Sequence, residues 1–112
     1  MATERLLEFW NQANLLAQIL QLETQRELMK VELTKIYDHN DPEKITIGAA
    51  IMLRFSPDYD RIEESELETI KRAIEKLGLR KEGIYIDGDD KEVYILIEVA
   101  PTEPITWSET RT

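Results

Sequence analysis

Ile45-Thr46-Ile47-Gly48-Ala49-Ala50-Ile51-Met52-Leu53-Arg54-Phe55 is the stretch on which the fold turns. Ile45, Ile47, Ala49, Ile51, Leu53 and Phe55 fall on every second residue, the period of a strand with one apolar face. Thr46, Gly48, Ala50, Met52 and Arg54 take the other face. A strand of this length with one greasy side must be covered, and the flanking sequence supplies the cover. Small residues at 48–50 leave room for a helix to cross closely, with a bulge at Gly48 as the competing account.

Upstream, Asp38-His39-Asn40-Asp41-Pro42-Glu43 has the composition of a turn. Before it, residues 29–34 alternate strictly and lead into Lys35-Ile36-Tyr37, and the abundance of Val, Thr, Ile and Tyr argues for a strand that forms a hairpin with 45–55. No Gly or Pro separates this segment from the helix before it, so a continuous helix is the alternative, and a three-stranded sheet would follow from it. That first helix opens with Thr3 as cap and Glu4 in its first turn. Leu6, Phe9, Trp10, Ala13, Leu16, Ala17 and Leu20 form one broad apolar face at about 100° per residue, while Leu15, Ile19 and Leu22 form another nearly opposite. One sheet covers only one of these sides. The other is expected to meet a second copy of the chain, giving a homodimer through Leu15, Ile19 and Leu22, or some other protein, with a helix sandwiched within its own domain as the alternative.

Downstream, Ser65 and Glu68 have capping-box spacing, and Leu67, Ile70, Ile74 and Leu77 then make a helical stripe that ends at Gly78-Leu79. Residues 84–86 and 93–99 bracket Asp87-Gly88-Asp89-Asp90 as a second hairpin. On it Tyr85, Tyr94 and Leu96 make a half-apolar second sheet face, where the first helix is expected to lie. The fold class is therefore α+β: a mainly antiparallel four-stranded sheet in the order α-β-β-α-β-β with helices packed on it. A single domain is expected over 1–104, with a polar tail over 105–112 that carries Trp107 as a candidate anchor for the core or for a partner.

A chain of 112 residues is large enough to bury one core, and it has no cysteine for disulfides, thiolate chemistry or cysteine-ligated zinc. Neither a signal peptide nor a membrane span is read in it, and a cytoplasmic location is expected. The net charge of −9, from 23 acidic and 14 basic side chains, repels phosphate backbones and anionic lipid. Direct nucleic-acid binding is not expected, whereas a basic protein partner is compatible with this field. The densest charge is the run from Asp58 to Glu68, with Asp58, Asp60, Glu63 and Glu64 as candidate contacts for such a partner.

No catalytic, cofactor or metal residues are assigned. His39 is the only histidine and reads as an exposed turn residue. Asp87, Asp89, Asp90 and Glu92 lack the ligand spacing of a twelve-residue calcium loop, and a hairpin turn explains them. Nucleophile elbows, phosphate-binding glycine loops and dinucleotide fingerprints are missing. The function expected is a small acidic non-enzymatic protein–protein interaction module. A nucleic-acid-mimicking inhibitor of a nucleic-acid-binding protein and a divalent-metal enzyme using Asp and Glu are the alternatives.

Overall fold

The computed structural model describes residues 2–38, 40–41, 43–56 and 61–106. Helix α1 (Ala2–Thr24) leads into β1 (Leu28–Tyr37) and β2 (Ile45–Arg54); helix α2 (Glu64–Lys76) leads into β3 (Leu79–Gly88) and β4 (Val93–Pro101). The strands form one sheet in the order β1-β2-β4-β3, and every neighbouring pair is antiparallel. The organising stretch is thus a central strand, between β1 and β4. Residues 29–37 are extended, as their alternation predicts.

Register fixes which side chains share a face. Ile51 lies opposite Val31 on β1 and Ile97 on β4, Leu53 opposite Ile95, and Ala49 opposite Val99. These join Phe9, Leu16 and Leu20 of α1 and Ile70 and Ile74 of α2 in one buried cluster. Both helices therefore pack on the same face, with α1 over β1 and β2 and α2 over β3. The expectation that α1 lies on the second face is corrected here. Fully buried Ala13, Ala17 and Ala49 are small enough for the helix to lie close to the sheet on the Ile51 side, where the apolar area is larger.

Gly48 points the opposite way, and its pairing with Thr34 is regular, so the bulge there does not form. The two bulges sit on the edge strands instead, where Met29 and Glu82 are the extra residues. Such irregularities twist an edge and discourage further strands from adding to it. A Cβ at Gly48 would collide with the Ile36 side chain and come within 2.7 Å of the Val99 carbonyl oxygen. Gly48→Ala is therefore expected to cost about 1–3 kcal/mol, more than the alanine gains in strand propensity. A midpoint shift in urea unfolding measures it, and an unchanged or raised midpoint would show that the strands yield freely.

The break between α1 and β1 uses side chains in place of glycine or proline. The Thr24 hydroxyl donates to the Leu20 carbonyl (2.6 Å) and accepts from the Arg26 amide (3.3 Å), and Gln21 Oε1 accepts from the Leu28 amide (3.0 Å). Between them Gln25 adopts a left-handed conformation, φ 60°. Branching at Cβ is poorly tolerated there, so Gln25→Val should lose about 1–2 kcal/mol while Gln25→Gly is neutral or gains a few tenths. Thermal melts of the two variants distinguish this ordering from one set by strand propensity.

Helix α2 begins one residue before the expected cap. Glu63 is the N-cap and makes no side-chain capping bond, so Ser65 lies inside the first turn, where its carbonyl accepts from the Thr69 hydroxyl. At the other end Gly78 has φ +67° and its amide reaches the Glu75 carbonyl, and Leu79 beyond it is buried, as the glycine cap predicts. The β3–β4 loop is closed by Asp89, whose carboxylate accepts from the Lys91 and Glu92 amides (2.8 and 2.9 Å). These two bonds hold the Asp89 carboxyl below its ordinary pKa.

After Pro101 the chain returns to β2. The Ile105 carbonyl accepts from the Ile47 amide (2.8 Å), Thr106 bridges to Thr46, and Ile105 is buried in the core. Arg5 donates to the carbonyls of Glu103 and Pro104 (2.9 and 3.0 Å), so α1 holds this return in place. Ile105 and Thr106 thus stay packed on the sheet beyond the two prolines.

Candidate interaction surface

The face of α1 turned from the sheet keeps large apolar side chains in solvent. Leu7 is 59% exposed, Leu15 48% and Leu22 76%. Exposed Asn11 and Gln18 lie in line with them, and the five residues fall within an arc of about 80°. A stripe without charge thus runs from Leu7 to Leu22 in a chain of which 33% is charged. Glu4, Leu7, Glu8, Asn11, Gln12 and Leu15 line a shallow groove of about 420 Å³ at its N-terminal half.

Of the three helical residues expected to face a partner, Leu15 and Leu22 are on this stripe. Ile19 is half-buried and packs against the core, because its position turns it toward the interior side of the helix. Leu7 was missed by the sequence reading. The signal was present, since Leu7, Leu15 and Leu22 are separated by eight and seven residues, two helical turns each.

The acidic run divides between separate environments. Glu63 and Glu64 are exposed, and Glu63 is paired with Arg61 at 2.7 Å. Glu68 lies 3.8 Å from Lys71. Glu66 turns inward and holds Arg26 through two bonds of 2.5 and 3.2 Å. Asp58, Asp60, His39 and Trp107 lie outside the described residues.

A second apolar surface is the sheet face opposite the helices. Ile36, Met52, Tyr94 and Leu96 are half-buried on it, and Tyr85, 51% exposed, lays its ring across Gly83. Near one end of this face Lys30 is paired with Glu32 at 3.0 Å, and that bond with the glutamate charge raises the lysine pKa. Among the described residues no helix covers this face.

An opening of about 660 Å³ lies at the end of the sheet between the β2 terminus and the β3–β4 loop. Glu27, Asp90 and Glu92 line it with Arg54 and Lys91, and Glu27 is paired with Arg54 at 3.0 Å. Among the described residues, no three His, Cys, Asp or Glu side chains are grouped so as to hold a metal ion. No described helix is long and apolar enough to cross a membrane. No family model, characterised protein or solved structure matches the chain.

Proposed function

We propose that the protein is an acidic protein–protein interaction module, without catalysis of its own, which dimerises through the outer flank of α1. The observation that carries this reading is the uncharged stripe Leu7, Asn11, Leu15, Gln18, Leu22. Leu7 stands about 12 Å before Leu15 along the axis and Leu22 about 10.5 Å after it. Two copies of α1 packed antiparallel, with Leu15 near the two-fold axis, would set each Leu7 beside the partner's Leu22. A near-symmetric stripe suits an isologous contact, in which one patch must match itself. Burying three leucines from each copy removes apolar surface from water at about 25 cal/mol per Å².

The remaining surface of the dimer carries twice the net charge of −9, and Glu63 and Glu64 belong to it. That field favours a basic protein as partner, with binding that weakens steeply as salt shortens the Debye length.

Sedimentation equilibrium tests the dimer directly. Leu15→Glu places two carboxylates near the axis and is expected to weaken dimerisation at least tenfold, equivalent to about 1.4 kcal/mol. The residue is already half exposed, so the monomer should keep its fold. Identical masses for wild type and variant across the micromolar range would remove the α1 contact from the account.

A further inference from the structure

We infer that Asn11 and Gln18 make the α1 contact specific for a second copy of this chain: across the two-fold axis the amide of each pairs with the other from the partner, as two polar rungs on either side of Leu15. This rests on the dimer proposed above and assigns the residues that set its register and its partner.

The first observation is which amides are left over. Helix α1 carries five amide side chains, Asn11, Gln12, Asn14, Gln18 and Gln21. Three serve their own chain. Gln12 donates to the Leu77 carbonyl (3.4 Å), Asn14 donates to the Trp10 carbonyl (2.8 Å), and Gln21 accepts from the Leu28 amide (3.0 Å). Asn11 and Gln18 are exposed, and among the described residues their side chains have no hydrogen-bond partner. These are the two amides that stand in the leucine stripe.

The second is symmetry. Leu7 and Leu22 are equidistant along the helix from the midpoint of Asn14 and Leu15, and so are Asn11 and Gln18. An antiparallel pair centred there sets Asn11 opposite the partner's Gln18 in the same register that sets Leu7 opposite the partner's Leu22. Asn11 and Gln18 lie within about 20° of one another around the helix, so both rungs fall inside the contact. Each amide is donor and acceptor at once, and a facing pair satisfies both functions.

The third is what the rungs exclude. Sliding one copy by about four residues, one turn, sets Gln18 against the partner's Leu15 or Leu7, and the amide then loses water without gaining a bond. A wholly apolar helix seated on the stripe strands both amides in the same way. Antiparallel packing also brings opposite ends of the helix dipoles together, where a parallel pair brings like ends together. Polar residues within an apolar seam fix register and partner at some cost in affinity.

Two measurements on the full chain test the rungs. The chain has no cysteine, so Asn11→Cys and Gln18→Cys each introduce a single thiol. Under mild oxidation an equimolar mixture is expected to cross-link at least tenfold faster between the two variants than within either one. Residue 11 lies about 10.5 Å along the axis from its own copy, beyond the reach of a disulfide. The second measurement is sedimentation equilibrium of wild type, Asn11→Ala, Gln18→Ala and the double variant, with far-UV circular dichroism as a check on folding. Each single change should weaken dimerisation about tenfold and the double change no further, because either one removes the same two rungs. Two turns apart on one helix, the residues cannot touch within a copy, so this non-additivity arises between copies. A dimer that the alanine changes leave alone or weaken additively, or in which Asn11→Cys links to its own copy as fast as to Gln18→Cys, overturns the rungs while the α1 contact stands. A wild type that stays monomeric, or a dimer that Leu15→Glu leaves intact, overturns the α1 contact and the rungs with it.

Discussion

Arg26→Ala is expected to lower unfolding free energy by about 3 kcal/mol, although the residue lies in neither helix nor strand. Its guanidinium grips Glu66 on the first turn of α2 at 2.5 and 3.2 Å, donates to the carbonyls of Arg54 and Arg61 at 3.1 Å each, and sits 5.7 Å from the centre of the Phe55 ring. The side chains of Arg26 and Glu66 are only 10% and 12% exposed. One cation thus ties the α1–β1 junction to the end of β2, the approach to α2 and α2 itself. Without it a nearly dry carboxylate keeps no such partner, and two carbonyls lose a donor. Arg26→Lys should recover less than half, because an ammonium cannot reproduce the two-pronged grip while also reaching both carbonyls. Denaturant unfolding of the two variants measures this, and a loss below about 0.5 kcal/mol for Arg26→Ala would reduce the clasp to an ordinary surface pair.

Ile51→Ala should cost about 3–4 kcal/mol, within the range for deleting a fully buried isoleucine. Ile51 lies at the middle of β2 with no exposed surface, and it is flanked by Val31 and Ile97 on the adjoining strands. Hydrogen bonds on both sides fix the backbone, so the cavity cannot close by collapse. Ile86→Ala is the control. Ile86 lies on the edge strand β3 and is 51% exposed, and the same substitution there should cost under about 1 kcal/mol. Parity between the two would mean that the centre of the fold is not at β2.

The contrast between these isoleucines shows how far pattern reaches. Alternation in 45–55 and 29–37 identified strands and their apolar faces, because a period of two is a property of the chain itself. Gly78 marked the end of α2 for the same local reason: its left-handed conformation suits glycine best. The end of α1 was harder to read. Gln25 carries no such mark, and the chain turns there because Thr24 and Gln21 bond locally while Arg26 is anchored to a glutamate 40 residues away. Leu7 and Ile19 show the same limit on the candidate surface. Helical spacing places both near the rim of the apolar arc, and only the packed sheet decides that Ile19 turns in and Leu7 stays out.

By itself, then, the sequence determined the order of helices and strands, the two hairpins and the surplus of leucine on α1, all of which arise from residues within a few positions of one another. Tertiary structure alone decided that both helices share one face, that Ile105 closes the core, that Glu66 serves as an internal counterion, and that among the described residues no helix covers the other sheet face. Those outcomes depend on which distant surfaces meet. Competition between the two faces of one sheet for the same helix is settled by apolar area and by close approach through alanine, quantities that exist only once the strands are paired.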